Sequence, residues 1–129
     1  MEEQIKTPET LHEANRLLIK INNTLKIQGI EVAKARQRKS NAKRFLKLAN
    51  AKAIEESRQK KDIYTSDESR KAYAVLKTEK ELEELSAAEL DYAIKVDERD
   101  RLEGFQKDLR EASYNLRTEV KSGLIQSEH

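Results

Sequence analysis

Residues 11–56 read LHEANRLLIKINNTLKIQGIEVAKARQRKSNAKRFLKLANAKAIEE, and this stretch decides the fold. Alternating steps of three and four from Leu11 give Ala14, Leu18, Ile21, Leu25, Gln28, Val32, Ala35, Lys39, Ala42, Leu46, Ala49, Ala53 and Glu56. Eleven of those fourteen positions are apolar, and no step is skipped. Such spacing puts one apolar stripe on a long α-helix and is a heptad seam, with Leu11, Leu18, Ile21, Leu25, Val32 and Leu46 as its large residues. The pattern passes through Gly29, which costs about 1 kcal/mol inside a helix and marks a candidate kink.

Working outward, Thr7-Pro8-Glu9 has the order of a helix start: a capping hydroxyl, a proline at the first turn and an acid at the positive end of the dipole. After a polar connector, Thr65-Ser66-Asp67-Glu68 reads as a capping box with Thr65 as cap. A second helix is expected to follow and to stop at Ser122-Gly123, where glycine suits a left-handed cap. Its apolar face is looser: Ala72, Val75, Leu82, Leu85, Tyr92, Val96, Leu102, Phe105, Leu109, Ala112, Leu116 and Val120. One domain is expected over 1–129, with arm one at 8–56, a connector at 57–65, arm two at 66–122 and a frayed tail at 123–129. The fold class is therefore all-α: a long antiparallel two-helix, coiled-coil-like hairpin. Its arms of about 50 and 55 residues reach roughly 75–85 Å. One seam per helix is thin for independent stability, so assembly into a homo-oligomeric helical bundle is expected. Leu17, Ile19, Ile27, Ile30, Phe45, Leu48 and Ile54 supply the second face.

Composition agrees with helices and excludes several kinds of chemistry. Of the 129 residues, 39% are charged and 5% aromatic, with three glycines and one proline, too few β-branched and turn residues for a sheet protein. With no cysteine there is no disulfide, thiolate nucleophile or Cys-ligated metal. The opening MEEQIKTPET has no basic start followed by an apolar run, and no apolar stretch reaches the roughly 18 residues that span a bilayer. A cytoplasmic protein without membrane contact is the expectation.

The net charge of +2 conceals two halves of opposite sign. Residues 1–61 hold 15 Lys/Arg and 7 Asp/Glu, and residues 62–129 hold 11 and 17. Lys34, Arg36, Arg38, Lys39, Lys43, Arg44, Lys47 and Lys52 lie together without an acid and form the candidate nucleic-acid-binding segment. Phe45 is the one aromatic among them, so base stacking has little support and backbone contact is the open mode. The competing reading is internal. A hairpin turning near residue 61 sets residue i opposite about 122 − i, and the bases would brace against Glu79, Glu81, Glu83, Glu84 and Glu89.

Asp97, Glu98, Asp100 and Glu103 form a candidate partner-binding acidic face of the kind a nucleic-acid mimic presents. Neither they nor Asp91 stand in a Glu-x-x-His pattern, so a solvated charged face is expected rather than a metal site. Tyr64, Tyr73, Tyr92 and Tyr114 are read as packed rings with wet hydroxyls, with anchors of a partner interface as the alternative. His12 and His129 are read as surface residues. No phosphate loop or nucleophile motif occurs, so no catalytic residue, cofactor or metal is assigned and an enzyme is not expected.

The run VAKARQRKSNAKRFLKLANAKA, the charged connector, and ELDYAIKVDERDRLEGFQKDLREASYNLRTEVKSG together resemble small all-helical proteins from phages and prophages of Gram-positive bacteria. The resemblance covers roughly residues 30–123. Many such proteins come from replication and recombination regions. It implies a phage accessory protein in the cytoplasm of an infected or lysogenic host, and carries no site residue across. Three functions follow as expectations: a helical interaction protein that self-assembles and binds a protein partner, a sequence-nonspecific DNA-binding factor using 32–54, and an acidic-faced inhibitor of a host nucleic-acid enzyme.

Overall fold

The computed structural model describes residues 10–127, with side chains described for 10–121. It is all-α, with α1 at Leu11–Gln59, α2 at Asp67–Lys77 and α3 at Glu79–Ser127, and no strand among the described residues. The expected cap at Thr7 lies outside the described residues. α1 starts instead behind Thr10, whose side-chain oxygen accepts the Glu13 N–H at 3.1 Å. The helix runs through Gly29 without a break and reaches Gln59, three residues past the expected end at 56.

The second helical stretch departs from expectation at both ends and inside. Its cap is Ser66 rather than Thr65. The Ser66 hydroxyl accepts from the Ser69 N–H at 3.1 Å, and Ser69 Oγ accepts from the Ser66 N–H at 3.2 Å, which closes a reciprocal box. The single helix expected over 66–122 is two, parted at Thr78. That residue sits at φ −112°, ψ 16°, and its hydroxyl donates to the Ala74 carbonyl at 2.7 Å, beside its own N–H at 3.0 Å. Threonine back-bonding of this kind crowds one carbonyl with two donors and bends a helix. The Thr78 carbonyl then accepts from Leu82 N–H at 2.9 Å and opens α3. No stop occurs at Ser122-Gly123, because α3 continues to Ser127. Glycine there is tolerated as Gly104 is, at about 1 kcal/mol.

The chain divides into two compact units. The first joins the described residues up to Glu31 with those from Val96 onward. Ala14, Ile21, Leu109 and Ser113 are buried there, with Leu11, Leu18, Leu25, Leu102, Phe105, Ala112 and Leu116 half-buried. Three polar contacts join its helices. Ser113 Oγ lies 3.4 Å from Asn15 Oδ1, Gln106 Nε2 donates to Asn22 Oδ1 at 2.6 Å, and Gln28 Nε2 donates to Glu98 Oε2 at 3.1 Å. Partner numbers fall as α1 numbers rise, which is the order of antiparallel packing.

The second unit is Val32–Lys95. Val32, Ala35, Ala53, Ser57, Tyr73, Ala74, Thr78 and Leu85 are buried in it. Ala53, Tyr73 and Ala74 form a cluster on which Ile54 and Tyr64 pack, and the Tyr64 and Tyr73 rings are 4.7 Å apart and tilted by 50°. Tyr73 is thus the chief aromatic of this core.

All fourteen α1 seam positions are buried or half-buried, each within its own unit. Of the twelve residues expected on the apolar face of arm two, Leu85, Tyr92, Val96, Leu102, Phe105, Leu109, Ala112 and Leu116 are buried or half-buried. Ala72, Val75, Leu82 and Val120 are exposed. The buried or half-buried steps of the α3 seam are Glu81, Leu85, Ala88, Tyr92 and Lys95 in the second unit, and Leu102, Gln106, Leu109, Ser113 and Leu116 in the first. Apart from the exposed step at Arg99, that series keeps the three–four spacing of a heptad, and four of its ten members are polar or charged. The register also shifts: Gln28 meets Glu98, Asn22 meets Gln106 and Arg38 meets Asp91, so partner numbers add to 126–129 rather than 122.

Candidate interaction surfaces

The basic segment lies wholly in the second unit, on α1. At about 100° per residue, Arg36, Lys43 and Lys47 fall within one arc of about 40°, and Lys34, Arg38 and Lys52 within another on the opposite side. The bases therefore form two rails rather than a single stripe. Half-buried Tyr92 holds part of one rail. The Arg36 guanidinium donates to its hydroxyl at 3.4 Å, and the Lys39 ammonium stands 4.8 Å from its ring centre. This contact explains how a lysine occupies a seam position: its stem packs while its charge meets an aromatic face. Arg38 reaches Asp91 at 3.7 Å, with the arginine exposed and the aspartate half-buried, a pair worth a few tenths of a kcal/mol. The Arg44 guanidinium lies 5.6 Å from the Phe45 ring centre.

The bracing is not by the five expected glutamates: an ion pair from the basic segment to the facing helix is that of Arg38 with Asp91. Among the described residues, Glu79, Glu81, Glu83, Glu84 and Glu89 make no ion pair. Lys43, Lys47 and Lys52 are exposed and likewise make none among the described residues.

The acidic candidates lie in the first unit, and most are occupied. Asp97 pairs with Arg101 at 3.0 Å and Glu103 with Arg99 at 3.2 Å, each across one helical turn, while Glu98 accepts from Gln28. Asp100 is exposed. Two arginines inside the cluster halve its charge, a poor copy of a phosphate row. No group of three or more metal-ligating side chains occurs among the described residues.

Apolar surface is the third candidate. Of the residues read as an outward face, Ile19, Ile27, Ile30, Phe45 and Leu48 are exposed, while Leu17 and Ile54 are half-buried. Sequence reasoning missed Leu90 and Ile94 on α3, 63 and 48% exposed, and placed Leu82, which is 48% exposed, on the inward face. Their signal was present in the sequence. Leu90 and Ile94 are one turn apart, off the seam, and Leu82 precedes them by two turns. Within the second unit an open groove of about 480 Å³ runs beside Phe45, floored by Ala42, Ala87 and Ala88 and bounded by the Arg38–Asp91 pair.

No family model, curated protein or solved structure matches the chain.

Proposed function

We propose that this chain is a non-enzymatic interaction protein, a long antiparallel helical hairpin with coiled-coil-like packing that self-assembles into a bundle and presents its helical faces to a protein partner. The observation that carries this reading is the imbalance between core and surface. Among the described residues, the buried apolar set holds five residues larger than alanine (Ile21, Val32, Tyr73, Leu85 and Leu109) beside four alanines. Thirteen large hydrophobic residues stand exposed. Two packed helices bury one stripe each, and further apolar surface of this extent marks an interaction site. The phage-protein resemblance is compatible with such an accessory role in a bacterial host. Size-exclusion chromatography with light scattering tests the reading: it expects a multiple of 14.9 kDa, and a folded monomer of that mass would contradict it.

A second reading, contact with a nucleic-acid backbone, is favoured by the exposed cations Lys43, Lys47 and Lys52, which make no ion pair among the described residues. Its test is fluorescence anisotropy of labelled DNA. Backbone binding falls by orders of magnitude between about 50 and 200 mM salt, and no binding at the lower salt contradicts it. The inhibitor reading has the least support, because Arg99 and Arg101 sit within its acidic face.

A further inference from the structure

We infer that the outward face of α1 in the first unit docks on the outward face of α3 in the second unit of another copy of this chain. This deepens the self-assembly reading and rests on it. Ile19, Ile27 and Ile30 fall within about 80° of arc on α1 and are 63, 63 and 57% exposed. Between Glu13 and Glu31 the charged residues are Arg16, Lys20 and Lys26, with no acid. Arg16 lies within the apolar arc and Lys26 at its edge, and neither makes an ion pair among the described residues.

The α3 face has the opposite sign. Leu82, Leu90 and Ile94 fall within about 120° of arc. Between Lys80 and Lys95 the sequence holds Glu81, Glu83, Glu84, Glu89 and Asp91 and no base. Glu83 lies within that arc and Glu89 at its edge, and both are exposed without an ion pair among the described residues. The two faces match in length: Ile19 to Ile30 spans about 16 Å and Leu82 to Ile94 about 18 Å.

Charge then selects the pairing. A face meeting its own copy would set cation on cation or acid on acid, whereas α1 on α3 of a second copy sets opposite charges around a shared apolar strip. A nucleic acid would satisfy the α1 face and be repelled by the other. A second copy satisfies both. Since the two faces differ, the contact is heterologous. It closes if each copy donates both faces to the other, and otherwise continues as a ring or an open chain.

The test is a charge swap. One full-length variant carries Arg16→Glu with Lys26→Glu, and the other carries Glu83→Lys with Glu89→Lys. Each alone sets like charges across the contact, and its self-association, read by sedimentation, should weaken by at least about tenfold. An equal mixture restores opposite charges at both contacts and should recover the wild-type mass. Circular dichroism checks that helicity is kept. Exposed Ile27→Gln and Leu90→Gln form a second pair, each expected to weaken association without loss of helix. Variants that associate as the wild type does, or a mixture that fails to recover, overturn the inference while leaving self-assembly intact. It is overturned equally if Arg16→Glu with Lys26→Glu abolishes only DNA binding. A monomeric wild type overturns both readings.

Discussion

Replacing Tyr73 tests what holds the second unit together. The residue is 7% exposed and packs among Ala53, Ala74, Ile54 and Tyr64, with the Lys60 and Lys77 ammonium groups 5.3 and 5.6 Å from its ring centre. Tyr73→Ala removes a buried aromatic from between two alanines, whose single methyl groups cannot fill the space. Aromatic-to-alanine changes in cores cost about 3–5 kcal/mol, and the nearby solvent sets this site at the lower end, about 3 kcal/mol. The hydroxyl contributes little, because its contact with Glu56 is long at 3.4 Å. Tyr73→Phe should therefore cost under about 0.5 kcal/mol. With a urea slope of about 1.5 kcal/mol/M, Tyr73→Ala lowers the unfolding midpoint by about 2 M, and Tyr73→Phe by less than about 0.4 M. Far-UV circular dichroism reads the transition, at one fixed protein concentration because assembly shifts apparent stability. Equal losses from the two variants, or none from Tyr73→Ala, would refute the reasoning.

Gly29 and Gly104 sit inside helices, and a methyl group built at either meets no atom within 4 Å. Gly29→Ala and Gly104→Ala should each stabilise by about 0.5–1 kcal/mol, seen as a rise in the thermal midpoint; a fall would mean that the position needs glycine. Ser66→Ala removes the hydroxyl that accepts from Ser69 N–H and should cost about 1 kcal/mol, measured by urea titration, whereas Thr65→Ala should change little. Lys43→Gln, Lys47→Gln and Lys52→Gln together should leave helicity and the urea midpoint unchanged, because no ion pair is lost among the described residues. A melted triple variant would restore the bracing role to those lysines.

The α1 seam was legible because its code is nearly pure: apolar at eleven of fourteen steps, with Gln28, Lys39 and Glu56 the exceptions. The α3 seam was legible only in part, for a physical reason. Lys95, Gln106 and Ser113 occupy inward steps where a periodicity count looks for leucine. For Gln106 and Ser113 the justification lies across the interface. Gln106 meets Asn22 and Ser113 meets Asn15, so polarity on one helix is answered by polarity on the other. The register error has the same origin, since without a clear seam the turn position alone sets the pairing. The break at Thr78 has a readable signal. Thr78-Glu79-Lys80-Glu81 has the same capping-box order as Thr65–Glu68, but an otherwise helical run on both sides hides it.

The candidate surfaces divide in the same way. Exposure of Ile19, Ile27, Ile30, Phe45 and Leu48 follows from the seam, because whatever is off the seam faces away from it. The fate of each charge does not, since a long side chain chooses among several neighbours only once the register is set. Tyr92 illustrates the point: its pairing with Arg36 and Lys39 requires the 128 register and is lost under the expected one.

If, as proposed, the thin core is completed by self-assembly, folding and assembly are linked. A series of thermal melts across protein concentrations, monitored by circular dichroism, tests it most directly. Linked assembly predicts a midpoint that rises steadily with concentration. A midpoint that stays constant across the series, with a cooperative transition and a mass of 14.9 kDa throughout, would contradict the account.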